Sequence, residues 1–125
     1  MVKKRLIKGH QLLMLNEQDD ILLAISETIQ DTTMEMAIEG SLTADVSFEF
    51  EDELIAAMTV CDNIVIDFKG VTGITSAGLK ALLSVQKMID EMNGKRLALK
   101  NISPAVAETF EEVGFDGLFE IEEKE

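Results

Sequence analysis

The most constraining stretch of this chain lies between residues 61 and 94. Ile64 to Phe68 is a short apolar run containing β-branched residues, which is how a strand buried on both faces reads. Gly70 and Gly73 break the run and predict a loop. From Ala77 the period changes: Leu79, Leu82, Leu83, Ile89 and Met92 recur mostly at three- and four-residue steps, with Lys80, Lys87, Asp90 and Glu91 between them. That spacing predicts a helix over 76–93, stopped at Asn93-Gly94 by a C′ glycine. Arg96 to Leu99 reads as a second strand. A β-loop-α-β unit of this kind forms a parallel strand pair joined by a crossover helix.

The chemistry-bearing spot is the loop-to-helix junction, Ile74-Thr75-Ser76-Ala77-Gly78-Leu79. It lies past the carboxyl end of a strand, where open α/β sheets collect ligands, and at a helix N-terminus, whose free N–H groups favour an anion. Two readings stand side by side. Thr75 and Ser76 cap the helix with their hydroxyls, or they carry a function at an exposed edge.

Other segments are read the same way. Met34, Met36 and Ile38 alternate with Glu35, Ala37 and Glu39, a half-exposed strand ended by Gly40. Residues 21–29 fit either a helix capped by Asn16 with Asp19 or a strand paired with 34–40 around Asp31-Thr32-Thr33. A helix starting near Ser47 as N-cap has Glu49, Glu51 and Asp52 early and Leu54, Ile55 and Met58 inward. Ser103-Pro104 is an N-cap followed by proline at N1, with Val106, Phe110 and Val113 facing inward and Gly114 as the stop. Leu118 to Ile121 reads as a short last strand, and Glu122 to Glu125 as a frayed tail. Residues 1–20 read as an extension of uncertain structure, loose or adding a strand.

Further elements of the sequence carry a resemblance. Ile66-Asp67-Phe68, Gly70-Val71-Thr72 and Ile74-Thr75-Ser76-Ala77-Gly78-Leu79 together resemble the signature of STAS domains, the anti-sigma-factor antagonists and their relatives. Met34 to Leu42 resembles that family's early strand ending in Gly-x-Leu. The segment from Asn101 through Ser103, Pro104 and Val106, then Phe110 to Ile121, resembles its C-terminal helix and last strand. The resemblance covers about residues 24–122. It implies an α/β fold: one STAS-like domain over 21–125, a mixed, mostly parallel sheet of 4–5 strands with 3–4 helices packed against it. It also places a strand, rather than a helix, at 21–29.

The resemblance implies a function too: a switch that binds an anti-sigma factor which is itself a serine kinase, is phosphorylated at the junction, and is reset by a serine phosphatase. Ser76 is the expected acceptor and Thr75 the second choice. Thr43, Asp45, Thr75, Ser76, Gly78 and Leu79 are the expected partner contacts. The sequence departs from the family pattern at three places. The acids expected before the serine and after Gly-x-Leu are Thr75 and Thr43, and the second serine of the pair is Ala77. Two alternatives come with the same fold: a scaffold or adaptor subunit that does not switch, and a small-ligand binder at the strand ends.

Composition trims the remaining classes. A chain of 125 residues forms one domain. The net charge of −13 argues against nucleic acid as a partner. That charge is uneven: residues 1–10 hold Lys3, Lys4, Arg5 and Lys8 and no acid, while the other 115 hold seven basic and 24 acidic residues, a balance of −17. The lone Cys61 allows no internal disulfide and reads as a small buried hydrophobe. One His and one Cys make no typical zinc or iron site, so no metal or cofactor is expected. Walker A, Gly-x-Gly-x-x-Gly and Gly-x-Ser-x-Gly motifs are absent, and no enzyme is expected. No apolar run is long enough to span a membrane, and neither a signal peptide nor low-complexity sequence stands out, so a cytoplasmic protein is expected, monomeric or weakly dimeric.

Overall fold

The computed structural model describes residues 1–114, 117 and 119–122. Its elements in chain order are β1 (Lys4–Lys8), β2 (Gln11–Leu15), β3 (Ile21–Gln30), β4 (Thr33–Leu42), α1 (Ser47–Val60), β5 (Asn63–Ile74), α2 (Ser76–Asp90), β6 (Arg96–Lys100), α3 (Pro104–Glu112) and β7 (Glu120–Glu122). The strands form one mixed sheet in strict sequence order. β1 to β4 pair antiparallel, and β4 to β7 pair parallel through the three helices.

Among the described residues the sheet has seven strands rather than four or five. Residues 1–20 supply the additional pair as a hairpin, β1–β2, turned at Gly9 with φ +63°. Asn16 does not cap a helix. Its Oδ1 accepts from the N–H groups of Gln18 and Asp20 at 2.9 and 3.0 Å and closes the turn into β3. Residues 21–30 are then a strand paired with β4, through a turn in which Asp31 takes φ +57°.

Period-two alternation decides which face of the sheet is covered. Met34, Met36 and Ile38 of β4 join Leu23 and Ile25 of β3, Ile64, Ile66 and Phe68 of β5, and Leu97 and Leu99 of β6 in the main core. All three helices contribute to that cluster: Phe50, Leu54 and Met58 from α1, Leu79, Leu82, Val85 and Ile89 from α2, and Val106 and Phe110 from α3. Phe110 stacks obliquely on Phe119, with ring centroids 5.5 Å apart. Cys61 is buried in the same core. On the opposite face Leu13, Leu15 and Ala24 form a second, small cluster to which no helix contributes.

Several boundaries differ from expectation, each for a local reason. Gly70 and Gly73 do not end β5, which continues to Ile74. They serve two register shifts against β4, between Ala37 and Glu39 and between Gly40 and Ser41, each adding one residue on β5. A Cβ at Gly70 would stand 2.7 Å from the Ile38 carbonyl oxygen, so only glycine passes there. Ser47 is the first helical residue and not the cap; Val46 holds the N-cap position and is buried. α2 stops at Asp90, before Asn93-Gly94, and Met92 is exposed. Gly94 serves the following turn instead, at φ +84°. Val113 is exposed beyond the end of α3, one residue before Gly114 at φ +74°. The expected last strand falls at Glu120–Glu122; Leu118 and residues 123–125 lie outside the described residues.

α3 starts as the sequence implies. Ser103 Oγ accepts from the Val106 N–H at 3.2 Å, and Pro104 occupies the first turn. α1 has no basic residue of its own in its last turn. Lys95, from the turn before β6, supplies the cation: its Nζ donates to the carbonyl oxygen of Met58 at 2.7 Å and to Asp62 Oδ1 at 3.0 Å.

Candidate functional site

The parallel neighbours β4 and β5 end side by side, with Leu42 opposite Ile74. Their outgoing loops therefore meet at one edge of the sheet. The Thr75 N–H donates to the Leu42 carbonyl oxygen at 3.0 Å, and Thr75 Oγ1 donates to the same oxygen at 3.3 Å. The Thr75 hydroxyl is thus spent on joining two strand ends. It occupies the N-cap position of α2 without making a side-chain cap bond.

Ser76 follows as the first residue of α2. It is exposed, and its hydroxyl takes no hydrogen bond from or to the described residues. The first-turn N–H groups of α2 are left uncapped beside it. The positive end of the helix dipole and a free hydroxyl therefore share one solvent-facing spot. Capping does not account for either Thr75 or Ser76 here.

The other expected contacts divide into two sets. Asp45 is exposed on the loop after β4, with Oδ1 3.4 Å from the Met1 ammonium. Thr43 is half-buried and shapes that loop: its Oγ1 accepts from the Asp45 N–H at 3.3 Å, and its carbonyl oxygen accepts from the Val46 N–H at 3.2 Å. Gly78 and Leu79 are buried. A Cβ at Gly78 would meet the Leu42 carbonyl oxygen at 2.5 Å and Leu42 Cβ at 2.9 Å. Gly78 therefore lets α2 approach the end of β4 within the chain, and Leu79 anchors the same turn in the core. The structure brings Thr43, Asp45, Thr75 and Ser76 to one rim and puts Gly78 and Leu79 beneath it.

One part of this surface escaped the reading of the sequence. A groove of about 410 Å³ runs between α1 and α2, lined by Ser47, Phe48, Glu51, Ala77, Lys80 and Ser84 among others. Phe48 is 72% exposed and adds a phenyl ring to the wall of that groove. The signal was present: Phe48 stands two residues before Phe50, on the side of α1 away from the inward positions Phe50, Leu54, Ala57 and Met58. Lys80, one turn after Ser76, puts a cation on the same groove. Among the described residues no group of His, Cys, Asp and Glu could hold a metal ion, and no helix is long and apolar enough to cross a membrane.

The comparison that decides the family is a family model described as "Mlab, STAS domain", which matches residues 25–121. This chain belongs to the STAS domain family. Solved structures carry the same fold at low identity. An anti-sigma factor antagonist from Mycobacterium paratuberculosis superposes with a TM-score of 0.72 at 17% identity, covering 82% of this chain and 86% of that one. The Bacillus cell fate determinant SpoIIAA in its phosphorylated form gives 0.60 at 16% identity, covering 80% and 92%. A sulfate transporter family protein from Wolinella succinogenes gives 0.60 at 18%, covering 70% and 71%. No curated protein matches the sequence. The match to the STAS domain model starts at residue 25, so β1, β2 and the first part of β3 lie outside it.

Proposed function

We propose that this protein is a phosphorylation-controlled interaction module of the anti-sigma-factor-antagonist type. It binds an anti-sigma factor with serine kinase activity, is modified at Ser76, and is reset by a serine phosphatase. The observation that carries the reading is the division of labour at the junction. Thr75 is tied to Leu42, while Ser76 is exposed, uncapped and free to be modified. A relative of the same fold, SpoIIAA, has a phosphorylated form.

The physics of the switch is local. A phosphate on Ser76 adds about −1.5 to −2 charges beside the uncapped N–H groups of α2, which can hold it without refolding the helix. Its bulk and charge then stand at the mouth of the groove between Phe48 and Lys80. A partner that buries Phe48 would have to desolvate that dianion, so binding is lost while the backbone stays in place. Asp45 and Thr43 complete the rim.

A second reading, a non-switching adaptor subunit, draws on the transporter-protein likeness and on Thr75 and Thr43 standing where the family pattern carries acids. Photo-crosslinking separates the two. A photoreactive phenylalanine analogue in place of Phe48, in the native cells, should give one dominant protein adduct that Ser76→Asp abolishes. An adduct formed equally with Ser76→Asp would refute the switch and leave the adaptor.

A further inference from the structure

We propose that the β1 edge of the sheet is a docking site for an extended segment of a partner protein in which acidic and apolar residues alternate. Three features of the hairpin coincide there. β1 has β2 as its only strand neighbour among the described residues, so half of its backbone N–H and C=O groups face away from the sheet. The strand is Lys-Arg-Leu-Ile-Lys, exposed throughout, in a chain whose net charge is −13. Beside it lies a hollow of about 720 Å³ on the face without helices, lined by Lys4, Leu6, Lys8, Leu13, Leu15 and Ile21 together with Arg5 and the Asp19 carboxylate. Leu6 and Ile21 are 49% and 59% exposed, an apolar floor left open between two ammonium groups.

The register states what would fit. Lys4, Leu6 and Lys8 pair with Leu15, Leu13 and Gln11, and directly opposed residues share a face, so these three line the bare side. A strand added outside β1 would place an acid opposite Lys4, an apolar residue opposite Leu6 and an acid opposite Lys8. The order is the same read in either direction, so parallel and antiparallel docking select one pattern: acid-x-apolar-x-acid. Lys4 already takes a carboxylate, from Asp19 at 2.6 Å, and Lys8 has no ion-pair partner among the described residues. On the other face Arg5 is committed to Glu53 of α1, which holds the hairpin against the helix layer.

The same residues reject a second copy of the chain. Two β1 strands paired antiparallel about Leu6 would set Lys4 against Lys8 twice, and like charges directly opposite are destabilising. A lipid surface would engage the ammonium groups but leave the open backbone edge unused. An extended peptide uses the backbone edge, the apolar floor and both lysines together.

The test is a titration of the full-length protein with the peptide acetyl-Thr-Glu-Val-Ile-Val-Glu-Thr-amide, followed by backbone amide NMR. Saturable binding is expected, with shifts confined to β1, Leu13 and Leu15 and affinity falling as salt rises. Lys8→Glu, and Lys4→Glu with Lys8→Glu, should weaken it by about tenfold or more at unchanged melting temperature. The counterpart with Lys in place of both Glu residues should not bind. No binding, equal binding of the two peptides, or shifts centred on the α1–α2 groove would overturn the proposal. So would lysine-dependent binding to phosphatidylglycerol vesicles with no response to the peptide, which would assign the patch to a membrane. None of these outcomes bears on Ser76.

Discussion

Gly78 lies under the candidate site, and its missing side chain sets how closely α2 meets β4. A Cβ there points at a backbone oxygen 2.5 Å away, which cannot rotate aside. Gly78→Ala should therefore destabilise the fold by about 1–3 kcal/mol despite alanine's better helix propensity, read as a lower denaturant midpoint. An unchanged or higher midpoint would contradict that packing. Glu27 gives the opposite sign. Partial burial raises its carboxyl above the usual range, and the neighbouring charge of Glu53 and a hydrogen bond shared with it push the same way. The fold thus prefers the protonated form. The contribution is present below the ordinary carboxylate pKa and is lost as pH rises through the raised value. Glu27→Gln should raise Tm at pH 7 by up to a few degrees, small because the group keeps most of its solvent contact and is screened, and should gain nothing at pH 4. Equal gains at both pH values would refute the assignment.

At the scale of elements, the α1 C-terminus depends on a cation from elsewhere. Lys95→Met should lower stability by about 1 kcal/mol, by removing the ammonium from the Met58 carbonyl and the helix dipole. Ser103→Ala should remove the α3 cap bond and lower stability by about 0.5–2 kcal/mol, measured by the same denaturant titration. These two caps mark what a sequence discloses. Ser103-Pro104 is a local signal and was legible. Lys95 acts on a helix more than thirty residues earlier, and no local pattern announces it. The β5 glycines misled for a related reason: glycine reads alike as a breaker and as a bulge, and the choice rests on the Ile38 carbonyl across the sheet. α1 shows the same limit, because Val46 is buried at the cap position where the local pattern favoured Ser47.

For the whole molecule, the order of strands and helices from β4 onward was legible because each element carries its own period and the family blocks fall in sequence; at β3 the period fitted helix and strand alike, and only the family resemblance chose the strand. The hairpin of residues 1–20 was not. Its strands are short, β1 is exposed throughout, and its apolar cluster packs on the face away from the helices. At the candidate site the sequence located the rim but not its depth. The helical period already set Leu79 inward, but it could not show that Gly78 packs beneath the rim against Leu42 or that Phe48 stands above it. The account as a whole rests on Ser76 as a modified switch. Intact-mass measurement with phosphosite mapping of the protein from its native cells, with Ser76→Ala alongside, tests this most directly. One added phosphate mapped to Ser76 and absent from the variant is the expected result. No phosphate under any growth condition, or phosphate elsewhere with partner binding intact, would contradict it.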